Sequence, residues 1–192
     1  MSQEIEKEQR IVNSMKSALE NHEFVVYYQP KYGLSDNQIA GAEALVRWKH
    51  PERGMISPGE FIPVFERNGF ITKLDYYVWE QTCIQLRRWL DEGKQPLPIS
   101  VNLSRISLYN KEVVEVICDL VDKYQIPRSL FQVELTESAY NTNPKAVQEM
   151  MQRLREEGFY ILMDDFGSGY SSLNVLKDIA VDVLKIVMKF LS

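Results

Sequence analysis

The sequence predicts an α/β domain with a mainly parallel sheet and helices packed outside it. Three observations carry this. Short apolar runs alternate with longer segments of helical spacing from residue 75 onward, the pattern of successive βα units. Gly93, Pro127 and Gly158 fall where helical segments hand over to strand segments. Polar residues recur on successive strand segments, namely Glu43, Asn102, Glu134, Asp164-Asp165 and Lys185. Parallel strands of a (β/α) barrel deliver functional side chains to one end in this way.

The elements follow in order. Residues 3–20 are charged, with Ile5, Ile11, Val12, Met15 and Leu19 at helical spacing, which predicts a leading helix. Glu23 to Tyr32 is rich in Val and Tyr and predicts a strand. A turn at Gly33 to Asn37 joins it to a second strand, Gln38 to Trp48, so the two form a hairpin. Ser57-Pro58-Gly59-Glu60 combines an N-cap, a proline at the first helical position and a glutamate at the third. That helix runs to Asn68 and stops at Gly69. Helices are expected over 75–90, 111–124 and 144–157, with a short one over 171–176. Strands are expected over 98–103, 130–136, 159–163 and 181–186. The division is a leading linker helix, 1–20, and one domain, 21–192, with no internal repeat or low-complexity tract.

Composition narrows the function. A chain of 192 residues with 45% hydrophobic and 26% charged residues builds one domain with a substantial core. The net charge of −5 and the lack of a basic run argue against DNA as a partner. An anionic ligand therefore needs metal ions to offset the acidic lining. No apolar run reaches the ~20 residues of a membrane span, and the charged N-terminus has no signal-peptide core. A cytoplasmic protein is expected. Cys83 and Cys118 read as free thiols rather than a disulfide or a zinc site.

Asp164 and Asp165 follow an apolar strand and precede Phe166-Gly167-Ser168-Gly169. Adjacent carboxylates at a core boundary are costly and call for a partner, and a hard divalent cation is one. A polar turn after a buried strand is the other reading of this segment. Glu, Asn, Glu, Asp-Asp and Lys on five successive strands favour one convergent site. Trp79 and Trp89 belong to apolar helix faces and read as core.

Several segments together resemble the EAL domain of cyclic di-GMP phosphodiesterases. They are Tyr28-Gln29-Pro30-Lys31, Glu43-Ala44-Leu45-Val46-Arg47-Trp48, Ser57-Pro58-Gly59-Glu60-Phe61-Ile62-Pro63 and Val101-Asn102-Leu103-Ser104. Glu134-Leu135-Thr136-Glu137 and the run Asp164 to Leu173 complete the set. The resemblance covers residues 20 to 190. It implies a TIM-like (β/α) barrel with one antiparallel strand, in agreement with the opening hairpin. It also implies hydrolysis of cyclic di-GMP to the linear dinucleotide. Glu43, Asn102, Glu134 and Asp164 would hold a first Mg2+ or Mn2+, and Asp164 with Asp165 a second. Glu43 and Lys185 would be the catalytic pair, with Lys185 acting on the attacking water. Gln29, Leu45 and Arg47 would contact the nucleotide, and Glu137 would anchor the loop from Asp165 to Tyr170. Two alternatives stay open here. Arg47 and Trp48 have a lesser reading as a stacked surface pair, and Glu137 reads nearly as well as a carboxylate at a helix N-terminus.

Two departures from the family pattern shape the expectation. The family usually carries an aspartate two residues after the strand-borne lysine, and here Lys185-Ile186 is followed by Val187. Valine cannot coordinate a metal or accept a proton, so the second metal site is expected to be impaired and turnover slow or absent. A whole barrel also takes about 250 residues. The barrel is therefore expected to be incomplete, its last strands missing and its edges available to a second copy or to an adjoining signalling domain. The functions in view are a metal-dependent phosphodiesterase, an inactive cyclic di-GMP-binding or protein-interaction module, and a fragment of a larger signalling protein.

Overall fold

A computed structural model gives the fold and describes residues 2–33, 36–166 and 183–186, with the backbone alone at 2, 165–166 and 183–186. The predicted helix at 171–176 and the position of Val187 lie outside the described residues. The chain opens with α1 (Ser2–Glu20), then β1 (Phe24–Tyr32), β2 (Ile39–His50) and the three-residue β3 (Gly54–Ile56). Helices α2 (Pro58–Asn68) and α3 (Ile71–Asp91) follow. Next come β4 (Ile99–Asn102), α4 (Arg105–Leu108), α5 (Val113–Lys123) and a 3₁₀ turn, Arg128–Leu130. The remainder is β5 (Phe131–Thr136), α6 (Glu137–Thr142), α7 (Pro144–Glu156), β6 (Ile161–Phe166) and β7 (Val183–Ile186).

The strands form one sheet in the order β1-β2-β4-β5-β6-β7, with β3 paired to β2 off this path. β1 and β2 are antiparallel, whereas every neighbour pair from β2 through β7 is parallel. This is the mainly parallel α/β architecture with the antiparallel opening hairpin. Among the described residues β1 and β7 are not paired with each other, so the sheet is open. β3 contributes a further antiparallel pairing, which three residues are too few to announce by periodicity.

Alternation sorts the hairpin's side chains onto two faces. On one face Phe24 and Trp48 stand opposite each other and pack with Phe61 and Phe65 of α2, all at most 1% exposed. On the other face lie Glu43, Leu45 and Arg47, opposite Gln29, Tyr27 and Val25. Trp48 is thus a core residue whose Nε1 donates to Glu23 Oε2 at 2.9 Å, and the reading of Arg47-Trp48 as a stacked surface pair is corrected. Gly41 is required where β2 meets β4, because a Cβ there would lie 2.6 Å from the Pro98 carbonyl oxygen. That close approach lets Ala42 N donate to Pro98 O at 2.9 Å and seats Glu43 beside Ser100.

Ser57 caps α2 through its Oγ, which accepts from Gly59 N, and Gly69 ends it in the left-handed region at φ 80°. α3 begins at Ile71, earlier than the expected residue 75, because Ile71 and Leu74 extend the buried stripe of Val78, Trp79 and Leu86. α1 is not detached from the core, since its Ile11 and Ala18 are buried within it. Trp79 is buried, and Trp89 is partly buried with its ring against Tyr28. Both cysteines are free. Burial pushes the Cys83 thiol up to about 12 and that of Cys118 up to about 11, so neither presents a thiolate at neutral pH. No helix among the described residues is long and apolar enough to cross a membrane.

Candidate functional site

The parallel register brings the predicted acids together. Glu43 lies beside Ser100, Asn102 beside Glu134, and Thr136 beside Asp164. Strand alternation then turns Glu43, Glu134 and Asp164 to one place, where a carboxylate oxygen of each lies within 4.8 Å of the others. Glu134 is only 1% exposed, and Glu43 and Asp164 are half-buried. Full charges at that spacing repel by about 3 to 4 kcal/mol per pair at an effective dielectric of about 20. Three carboxylates from three strands form a hard-oxygen donor set that fits a divalent cation.

Asn102 sits at the end of β4 and is exposed. Its Nδ2 donates to Glu43 Oε1 at 3.0 Å, which leaves the amide oxygen as its donor atom for a cation. Three contacts fix the strand end behind it. Trp79 Nε1 on α3 donates to the Asn102 carbonyl at 3.0 Å. Asp75, also on α3, accepts from Ser104 N at 3.1 Å and from Ser107 Oγ at 2.7 Å. Burial pushes the Asp75 carboxyl up to about 6, against the lowering effect of the Ser104 and Ser107 hydrogen bonds. Sequence reasoning missed Asp75, although an acid inside the apolar stripe Leu74-Val78-Trp79 was a signal. It also missed Ser100, whose Oγ donates to Glu134 Oε2 at 2.8 Å.

Asp164 and Asp165 lie within β6, not in a turn after it, so the polar-turn reading is corrected. The side chain of Asp165 lies outside the described residues. The same holds for Lys185, but its backbone is placed. Leu184 pairs with Met163 and Ile186 with Phe166, which sets Lys185 alongside Asp164 and Asp165.

Gln29, Leu45 and Arg47 line one groove of about 330 Å³ together with Tyr27, Tyr28 and Met55. Arg47 Nη1 donates to its neighbour's carbonyl, Val46 O, at 2.9 Å. Tyr27 and Met55, 54% and 53% exposed, give this groove an apolar wall. The pairing of Gln29 with Glu43 makes groove and acidic cluster adjacent on one sheet face. Glu137 is the first residue of α6 and is 2% exposed, behind the N-cap Thr136 whose Oγ1 accepts from Ala139 N. Its position at a helix N-terminus is thus observed. The loop it was expected to anchor lies outside the described residues.

This geometry has close relatives. The chain is 37% identical over 177 residues to the signaling protein YkoW of Bacillus subtilis, covering 92% of this chain and 22% of that one. It is 35% identical over 176 residues to the probable cyclic di-GMP phosphodiesterase PdeB of Escherichia coli, covering 92% of this chain and 34% of the relative. The chain therefore spans about a fifth to a third of the length of these two curated relatives. A solved structure of the PaMucR phosphodiesterase in complex with c-di-GMP superposes with a TM-score of 0.87 at 35% identity, covering 94% of this chain and 73% of that one. The family model of the EAL domain matches residues 12–192, and the chain belongs to the EAL domain family.

Proposed function

We propose that this chain is a metal-dependent cyclic di-GMP phosphodiesterase domain acting in the cytoplasm. The convergence of Glu43, Glu134 and Asp164 within 4.8 Å, in a chain of the EAL family, carries the reading. Glu43, Asn102, Glu134 and Asp164 hold a first Mg2+ or Mn2+, and Asp164 with Asp165 part of a second. Such cations supply an acidified water and neutralise charge on phosphate oxygens. The protein's own groups do the rest. Gln29 and Leu45 seat the nucleotide in the groove. Arg47 offers its planar fork to a phosphate or a guanine edge. Lys185, beside Asp164 and Asp165, orients the water and stabilises developing negative charge as an ammonium, or takes the water's proton as a neutral amine. Glu137 anchors the loop that follows β6. Residues 1–20 form a leading helix and 21–192 the EAL domain, working beside a further signalling domain or a second copy.

A second reading is a cyclic di-GMP-binding module without turnover, and Val187 favours it, because the carboxylate that would complete the second metal site is a valine. One titration separates the two. Calorimetry with cyclic di-GMP, with and without MnCl2, is followed by chromatography of the same sample. Binding with linear dinucleotide as product is expected for the enzyme. Binding without product, restored to turnover by Val187→Asp, identifies the module. Failure to bind under any metal condition overturns both.

A further inference from the structure

A hydrogen-bonded chain reaches the carboxylate cluster from β1. Lys31 stands opposite Gly41, on the same face of β1 as Gln29. Its Nζ donates to Ser100 Oγ at 2.8 Å, and Ser100 Oγ donates to Glu134 Oε2 at 2.8 Å. Ser100 is 0% exposed and Glu134 1% exposed. The serine hydroxyl has one proton to give. Because its lone pair accepts from Lys31, that proton goes to the carboxylate at 2.8 Å rather than to the Ala42 carbonyl at 3.4 Å. The Lys31 stem passes over Gly41, its Cε at ordinary contact distance, 3.8 Å, from where a Cβ would stand.

A buried carboxylate near two others needs a counter-charge whether or not a cation is bound. We infer that Lys31 is a positioning residue whose charge, passed through the Ser100 hydroxyl, balances Glu134 and fixes its Oε2, so that the cluster keeps its shape without a bound cation. The inference rests on the metal-site reading only for what the preformed cluster then receives. Lys31 touches no substrate atom in this account. Its ammonium reaches Glu134 through the Ser100 hydroxyl, on the Oε2 side.

The test is a double-mutant cycle on the 192-residue chain, read as thermal midpoint after treatment with a chelator and again in MnCl2. Lys31→Met removes the charge and keeps the length. Glu134→Gln removes the opposing charge and keeps an acceptor for Ser100. Lys31→Arg keeps a cation. Lys31→Met is expected to lower the chelated midpoint by roughly 3–8 °C. In the Glu134→Gln background the same change costs less than half as much, and Lys31→Arg recovers most of the loss. MnCl2 raises the midpoint of Lys31→Met by more than that of the unaltered chain. Additive effects of Lys31→Met and Glu134→Gln overturn the inference and leave Lys31 a packing residue. If Lys31→Met does not fold alone, folding of the double variant supports the inference and its failure to fold overturns it. A midpoint of the unaltered chain that ignores MnCl2 and MgCl2 overturns the metal reading instead, while the chelated cycle still decides the role of Lys31.

Discussion

Among single residues Asp75 shows most directly how the site's support is bound to stability. Burial raises its carboxyl from the ordinary 3.8 to about 6. A raised carboxylate binds its proton more tightly in the folded chain than in the unfolded one. Stability is therefore greatest below about pH 4 for this group and is lost as pH rises from about 4 to about 6. The gap corresponds to about 3 kcal/mol. Asp75→Asn keeps an acceptor for Ser107 and removes the titration. Its unfolding free energy relative to the unaltered chain should improve by up to about 3 kcal/mol between pH 4 and pH 7, measured by urea denaturation across that range. A constant difference across the range would overturn the burial argument. Glu43, Asn102, Glu134 and Asp164 were legible in the sequence because polar residues on apolar strands stand out. Asp75, Lys31 and Ser100 were not, because their partners are far away in the chain: strand register brings Lys31 and Ser100 to Glu134, and the packing of α3 against the end of β4 brings Asp75 to Ser104 and Ser107. Tyr27 and Met55 were likewise missed as groove residues, since an exposed apolar side chain leaves no mark in composition.

At the scale of elements, the positions of β2 and β4 are set by one glycine. Gly41→Ala drives a Cβ to 2.6 Å from the Pro98 carbonyl, a backbone atom that cannot rotate away. The strands must part, and the Ala42-to-Pro98 hydrogen bond and the seat of Glu43 part with them. Overpacking of this kind costs about 1 to 3 kcal/mol. The expected outcome is a loss of that size in denaturant unfolding together with at least a tenfold loss of Mn2+ affinity by calorimetry, since Glu43 moves with its strand. Unchanged metal affinity with lowered stability would separate Glu43 from the site. The long elements were legible from sequence because each carries a full hydrophobic period and a stop signal, as α2 does with Ser57 and Gly69. β3, α4 and α6 span three, four and six residues and have no period to read. The end of β6 was misjudged because Asp164 and Asp165 look like turn residues. Asp164 pairs with Thr136 of β5, and the β7 pairs of Met163 and Phe166 on either side carry the strand through both aspartates.

For the whole molecule, the sheet topology sets which strand edges among the described residues are open to pairing with another chain. Among the described residues β1 is paired on one side only, by β2, and β7 on one side only, by β6. The two halves of β1 differ as edges. Its later half carries Pro30, Lys31 and a register irregularity between Lys31 and Tyr32, features that discourage pairing with another chain. Its earlier half, Phe24 to Tyr28, is an unbroken run of β-formers with Tyr27 54% exposed. Self-association is therefore expected to run through the earlier half. Light scattering coupled to size-exclusion chromatography should show the mass rising with concentration from the micromolar range upward. Tyr27→Lys sets a charge on that edge and should return the chain to a monomer while its circular dichroism stays unchanged. Because Tyr27 also walls the groove proposed to take the nucleotide, cyclic di-GMP should shift the same equilibrium if copies meet there. A monomer at every concentration would overturn the expectation that copies pair through β1. An oligomer that ignores both Tyr27→Lys and nucleotide would move the interface away from β1, with the open side of β7 as the next edge to test.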